Sequence, residues 1–132
     1  MSVIFDLKTS DDSWPLMVNH ALESYLPEYI EQHGAVGSSL WWEACDKGNI
    51  PLLTKRGVVT FLGKRAKAAC EIGDIIEIDH DGILSEYDRV AYWQHPEVVV
   101  GSRITVKLFE IEVVQKHGVT MFRFERFVEV SN

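Results

Sequence analysis

Between Arg103 and Val130 apolar and polar residues alternate along two long runs, and in the first run the alternation slips. Ile104, Val106 and Leu108 are apolar at even positions, whereas Phe109, Ile111 and Val113 are apolar at odd ones. Successive side chains of a strand point to opposite faces. The slip therefore predicts a β-bulge or sharp twist at Leu108-Phe109. Gln115-Lys116-His117-Gly118 separates this run from Val119–Val130. Pairing Val114 with Val119 sets Ile111 opposite Phe122 and Phe109 opposite Phe124 on one face, with Glu110 opposite Arg123 on the other. Past a one-residue bulge the same hairpin joins Lys107 to Glu125 and Arg103 to Glu129, so opposite charges meet on one face throughout. Strands this long curl. The expected fold is α+β: N-terminal helices packed on a strongly curved, mainly antiparallel sheet or small β-barrel ending in a long β-hairpin.

Upstream, Val3 to Leu7 reads as a short strand. Asp11-Asp12-Ser13 offers helix caps before Trp14-Pro15, and Trp14, Val18, Ala21, Leu22, Tyr25 and Tyr29 recur at helical spacing. Pro27 lacks the N–H that would bond the Glu23 carbonyl, so the helix kinks or restarts there, and Gly34 stops it. Ser38 to Lys47 reads as a second short helix behind a serine cap. Val58 to Leu62 reads as a strand and Lys64 to Cys70 as a helical turn. Ile75 to Ile78 reads as a strand ended by the turn residues Asp79-His80-Asp81-Gly82. Ile83 to Trp93 is open between strand and helix, and His95-Pro96 breaks it.

At 132 residues the chain has the size of one domain, 1–132, able to bury a core without a metal or disulfide. Cys45 and Cys70 stand 25 residues apart with no CxxC or histidine spacing around them, and are read as free thiols. No apolar run is long enough to span a bilayer. The start Met1-Ser2-Val3-Ile4-Phe5-Asp6 lacks the basic residues and apolar core of a secretory signal, so the expected location is cytoplasmic.

Asp79-His80-Asp81 with Glu77 places carboxylates and an imidazole within five residues, as a cation site or a general base requires. Neighbours on a strand point to opposite faces, however, so these groups do not simply converge, and a solvated Asp-Gly turn accounts for them. The histidines 20, 33, 80, 95 and 117 stand in no metal-binding spacing, and no GxSxG, P-loop or GxGxxG occurs. No catalytic residue, metal or cofactor is expected. A small hydrolase using Asp79, His80 or Asp81 stands as the last alternative.

The net charge of −7 is distributed in blocks. Residues 1–46 hold eight acids and one base, residues 47–70 hold six bases and no acid, and residues 71–97 again hold eight acids and one base. Lys55, Arg56, Lys64, Arg65 and Lys67 flank a strand carrying Phe61, an arrangement that can track phosphates beside a stacking platform. The acidity of the whole chain speaks against nucleic acid as the partner. Four tryptophans are many for this size, and Trp41-Trp42 cannot both face inward.

The phrase Gly73-Asp74-Ile75-Ile76-Glu77-Ile78, followed later by a long strand, resembles the barrel segment of PUA-like and ASCH domains over about a quarter of the chain. The lysine and glutamate motif of the ASCH pattern is missing from Thr54 to Arg65. The resemblance implies RNA or nucleotide binding, which is the alternative function. The leading expectation is a non-enzymatic, acidic immunity- or antitoxin-type inhibitor that blocks a basic protein partner such as a nuclease toxin, since an acidic face steers onto phosphate-gripping surfaces. The docking residues expected are Asp74, Glu77, Asp79, Asp81, Glu86 and Asp88.

Overall fold

The computed structural model describes residues 1–10, 14–66 and 71–132. Strand β1 (Ser2–Asp6) leads through a 3-10 turn at Leu7–Thr9 to helices α1 (Trp14–Tyr25), α2 (Pro27–His33) and α3 (Ser39–Asp46). Strands β2 (Leu53–Ala66), β3 (Ile72–His80) and β4 (Ile83–Asp88) follow, then a 3-10 turn at Ala91–Gln94 and the closing hairpin of β5 (Arg103–Gln115) and β6 (Gly118–Ser131). The fold is α+β, with helices first and a mainly antiparallel sheet after them. The sheet has six strands in the order β1-β6-β5-β2-β3-β4 and is open, so the barrel alternative does not hold.

The helix punctuation follows the chain chemistry. Pro27 stands in the first turn of α2, where its missing N–H is not needed, so the helix restarts there rather than running on from α1. Gly34 ends α2 at φ 83°, donating its N–H to the Ile30 carbonyl at 2.8 Å. The Ser38 hydroxyl accepts from the Trp41 N–H at 3.3 Å and caps α3. The caps expected at Asp11-Asp12-Ser13 lie outside the described residues, as do Lys67 and Cys70.

Two expectations need correcting in the middle of the chain. Lys64, Arg65 and Ala66 are not a helical turn; they continue β2, because they pair with Asp74, Gly73 and Ile72 of β3. Asp79 and His80 are not turn residues but the end of β3, opposite Leu84 and Ile83. The ambiguous stretch 83–93 divides into strand β4 and the 3-10 turn.

The chain forms two compact units. One comprises residues 1–6, 54–107 and 127–132, the other residues 7–53 and 108–126. Both β5 and β6 run on from one unit into the other, and the boundary in β5 falls at Lys107/Leu108, where the apolar alternation slips. Ile104 is buried before the slip, and Phe109, Ile111 and Val113 are buried after it.

In the first unit, Val59, Ile76, Ile78, Trp93, Val98, Ile104, Val128 and Val130 form one buried cluster. Trp93 and Val98 come from the segment after β4, so that segment covers one face of the sheet. The segment is held by backbone bonds from Val59 N–H to the Ser102 carbonyl (2.9 Å) and from Gly101 N–H to the Val59 carbonyl (2.8 Å). Asn132 donates to the Glu97 carbonyl at 3.0 Å.

In the second unit the centre is Trp41, fully buried. Its ring meets Phe109 edge-on at 4.8 Å between centroids, and Phe109 lies 5.6 Å from Phe124. The Trp41 indole N–H donates to the Tyr29 hydroxyl at 3.2 Å, as a buried tryptophan requires. Trp42, only half-buried, has Arg126 4.8 Å and Lys8 5.8 Å from its ring. The adjacent tryptophans thus do divide between a core and a more exposed role. Glu110 accepts from Arg123 at 3.0 Å, the charged pair that the hairpin register predicts.

Candidate functional site

The β3–β4 hairpin turns in two residues, Asp81-Gly82, with φ of 56° and 93°. Positive φ at both positions is the type I′ geometry, which suits strand twist and favours Asp-Gly. The Asp79 carboxylate accepts from the Gly82 N–H at 2.6 Å and holds the turn. Strand alternation then sorts the side chains. Ile76 and Ile78 enter the buried cluster, so Ile75, Glu77 and Asp79 take the opposite, outer face. The cross-strand pairs Glu77↔Glu86, Asp79↔Leu84 and Ile75↔Asp88 bring Leu84, Glu86 and Asp88 to the same outer face.

Of the six carboxylates expected to dock a partner, the fold gathers Glu77, Asp79, Glu86 and Asp88 on one face and sets Asp81 at its tip. Asp74 does not join them. It shares parity with Ile76, on the covered face, where its nearest cation is Arg89 at 3.8 Å. Two apolar residues complete the hairpin surface: Ile83 is 71% and Leu84 60% exposed. The sequence reading left both in an ambiguous stretch; an Asp-Gly turn followed by two bulky apolar residues was the available signal.

The basic block is partly consumed by this acidic one. Arg65 donates to Glu77 at 2.7 Å and to Glu86 at 2.5 Å, so one guanidinium bridges two carboxylates that face each other across β3 and β4. Its guanidinium carbon stands 3.9 Å from the centroid of the Phe61 ring. Thr60, at the register shift of β2, donates its hydroxyl to Glu77 at 2.7 Å. The Arg65 bond, then the Thr60 bond, hold the Glu77 carboxyl below the usual carboxylate range; the same carboxylates raise Arg65. Lys55, Arg56 and Lys64 are exposed along β2.

Beside the hairpin tip lies a cleft of about 800 Å³. It is lined by Arg56, Arg103, Asp79 and Asp81, with the hydroxyls of Thr54, Thr105 and Ser131. Arg103 was assigned only a cross-strand partner from sequence, because its approach to the β3–β4 turn depends on the strand order β5-β2-β3.

His80 does not join Asp79 and Asp81 in a reactive cluster. It lies on the covered face, with Nδ1 donating to the Arg56 carbonyl at 3.0 Å and Nε2 placed to accept from the Tyr87 hydroxyl at 3.2 Å. Gly57 makes room for this contact. A Cβ at Gly57 would stand 2.4 Å from Ile78 Cγ2 and 2.9 Å from His80 Nδ1. No set of three or more His, Cys, Asp or Glu side chains arranged to hold a metal occurs among the described residues. In the second unit a smaller pocket of about 330 Å³ lies along α2 and α3, lined by Ile30, His33, Leu40, Glu43 and Lys47 among others. Cys45 is partly buried, and burial pushes its thiol up to about 11. No helix among the described residues is long and apolar enough to cross a membrane.

No family model matches this chain, and no curated protein matches its sequence.

Proposed function

We propose that this protein is a non-enzymatic binding protein that takes a basic protein partner on its β3–β4 hairpin, in the manner of an immunity- or antitoxin-type inhibitor. One observation carries the reading: Asp79, Asp81, Glu86 and Asp88 stand on one exposed hairpin beside the exposed Ile83 and Leu84. Apolar side chains rimmed by one sign of charge are the composition of a docking patch, since the apolar residues supply affinity and the charges supply steering. A nuclease toxin fits the partner chemistry because its substrate groove must be cationic to grip phosphates. The test is capture of the partner from the native host, purification of that partner, and measurement of association against salt. Asp79→Asn with Asp81→Asn and Glu86→Gln should slow association and flatten its salt dependence. A partner whose affinity and salt dependence survive this triple change would place the docking face elsewhere.

A second reading, RNA or nucleotide binding, is favoured by the cleft in which Arg56 and Arg103 meet three hydroxyl side chains. Asp79 and Asp81 line the same cleft and repel phosphate, which ranks this reading below the first. Titration with single-stranded RNA at physiological salt decides: micromolar binding lost in Arg56→Gln with Arg103→Gln would promote it.

A further inference from the structure

Strand β4 is the last strand of the sheet, and no described residue pairs with its outer edge. In an antiparallel pair, residues alternate between directing both backbone polar groups at the neighbour and directing both away. A two-residue turn makes His80 and Ile83 the first bonded pair, and the bond from Arg89 N–H to the Asp74 carbonyl at 2.9 Å keeps the same phase. Ile83, Ser85 and Tyr87 therefore spend their N–H and C=O groups on β3. Leu84, Glu86 and Asp88 turn theirs outward, in the direction of a strand that the chain does not supply.

Such an edge is a template for an added strand. The residues of β4 decide which strand it takes. β4 carries two carboxylates, Glu86 and Asp88, and no base. A second copy of this chain pairing β4 with β4 would bring four carboxylates into one short ladder, and like charges in cross-strand contact are destabilising. Asp79 and Asp81 at the turn extend the same sign along the edge. A strand with lysine or arginine at alternate positions meets the reverse situation, placing its cations over Glu86 and Asp88 and its apolar residues against Leu84.

We infer that β4 is an acceptor edge, on which an extended cationic segment of a protein partner adds to the sheet by backbone hydrogen bonding. This rests on the protein-binding reading and states how the partner is held.

The probe is a synthetic peptide of alternating lysine and valine, eight residues long and capped at both ends, added at up to millimolar concentration. A second peptide of the same sequence carries N-methyl groups on alternate amides, so that one edge cannot donate. Amide hydrogen exchange and chemical shifts of the whole chain are read by NMR. The unmodified peptide should slow exchange at Leu84, Glu86 and Asp88 several-fold while leaving Ser85 and Tyr87 little changed, and the N-methylated peptide should lose this effect. Glu86→Gln with Asp88→Asn should weaken binding several-fold. Binding that is weakened by the acidic substitutions yet leaves the three amides exchanging freely would overturn strand addition while the protein-binding reading stands. No binding at all, or binding that ignores both the substitutions and the N-methylation, overturns the acceptor edge; in that case the captured natural partner and the hairpin triple variant judge the broader reading on their own.

Discussion

Arg65 and Glu77 are joined across β2 and β3 by a 2.7 Å ion pair, although one belongs to the basic block of the sequence and the other to the acidic block. The pairing matters because Glu86 sits directly opposite Glu77 and shares the same guanidinium. Arg65→Met leaves two carboxylates facing each other, so thermal stability should fall at neutral pH. Glu86→Gln in the same chain should restore part of the loss. Glu77 has a lowered pKa in the folded state, so its contribution is present above its ordinary value and is lost as pH falls through the folded one. Melting curves of the wild type and Arg65→Met should converge as pH drops below that folded value. Equal separation at all pH values would dissociate Arg65 from Glu77.

Gly57→Ala places a methyl group against Ile78 and against the Asp79 carbonyl, at 2.4 and 2.9 Å. Backbone has to shift, and His80 loses its bond to the Arg56 carbonyl. A loss of about 1–3 kcal/mol is expected from such overpacking, read by urea denaturation. An unchanged midpoint would mean that β2 and β3 are further apart than described.

Trp41→Ala removes the centre of the second unit, where Phe109, Phe124 and Tyr29 converge. The expected cost is about 3–5 kcal/mol. Tyr29→Phe, which removes only the hydroxyl that accepts from the indole, should cost about 1 kcal/mol. Comparable losses from the two variants would show that the indole bond, rather than packing, dominates.

Cys45 should react slowly with thiol reagents. Burial raises it to about 11 from an ordinary 9.0, so little thiolate exists near neutrality. In a Cys70→Ser background, the rate of alkylation should climb steeply only above pH 9. Because the raised value favours the neutral thiol in the folded state, the associated stability is present below the ordinary value and declines as pH rises past it. Fast labelling at neutral pH would place Cys45 in a different environment.

The local punctuation of this fold is legible in the chain. Pro27, Gly34 and Ser38 mark helix ends because each acts through its own backbone chemistry, independent of distant residues. The terminal hairpin is legible for a related reason: Glu110–Arg123 and Phe109–Phe124 follow from alternation and a short loop, which are local facts too. The Asp81-Gly82 turn was visible as composition, but its length was not, since Asp79 and His80 become strand only through pairing with Leu84 and Ile83.

What tertiary structure alone decided is which charges meet. In sequence the basic and acidic blocks are separate, and nothing local says that Arg65 crosses to Glu77 and Glu86 or that Asp74 turns to Arg89. Strand order made those contacts, by setting β2 beside β3 and leaving β4 at the edge. Parity then divided a run of acids between two faces, sending Asp74 to the covered side and Glu77 and Asp79 to the open one. Local chemistry governs a cap or a two-residue turn because its partners lie within a few bonds. The composition of a surface depends on contacts between residues far apart in the chain, which exist only once the sheet has assembled.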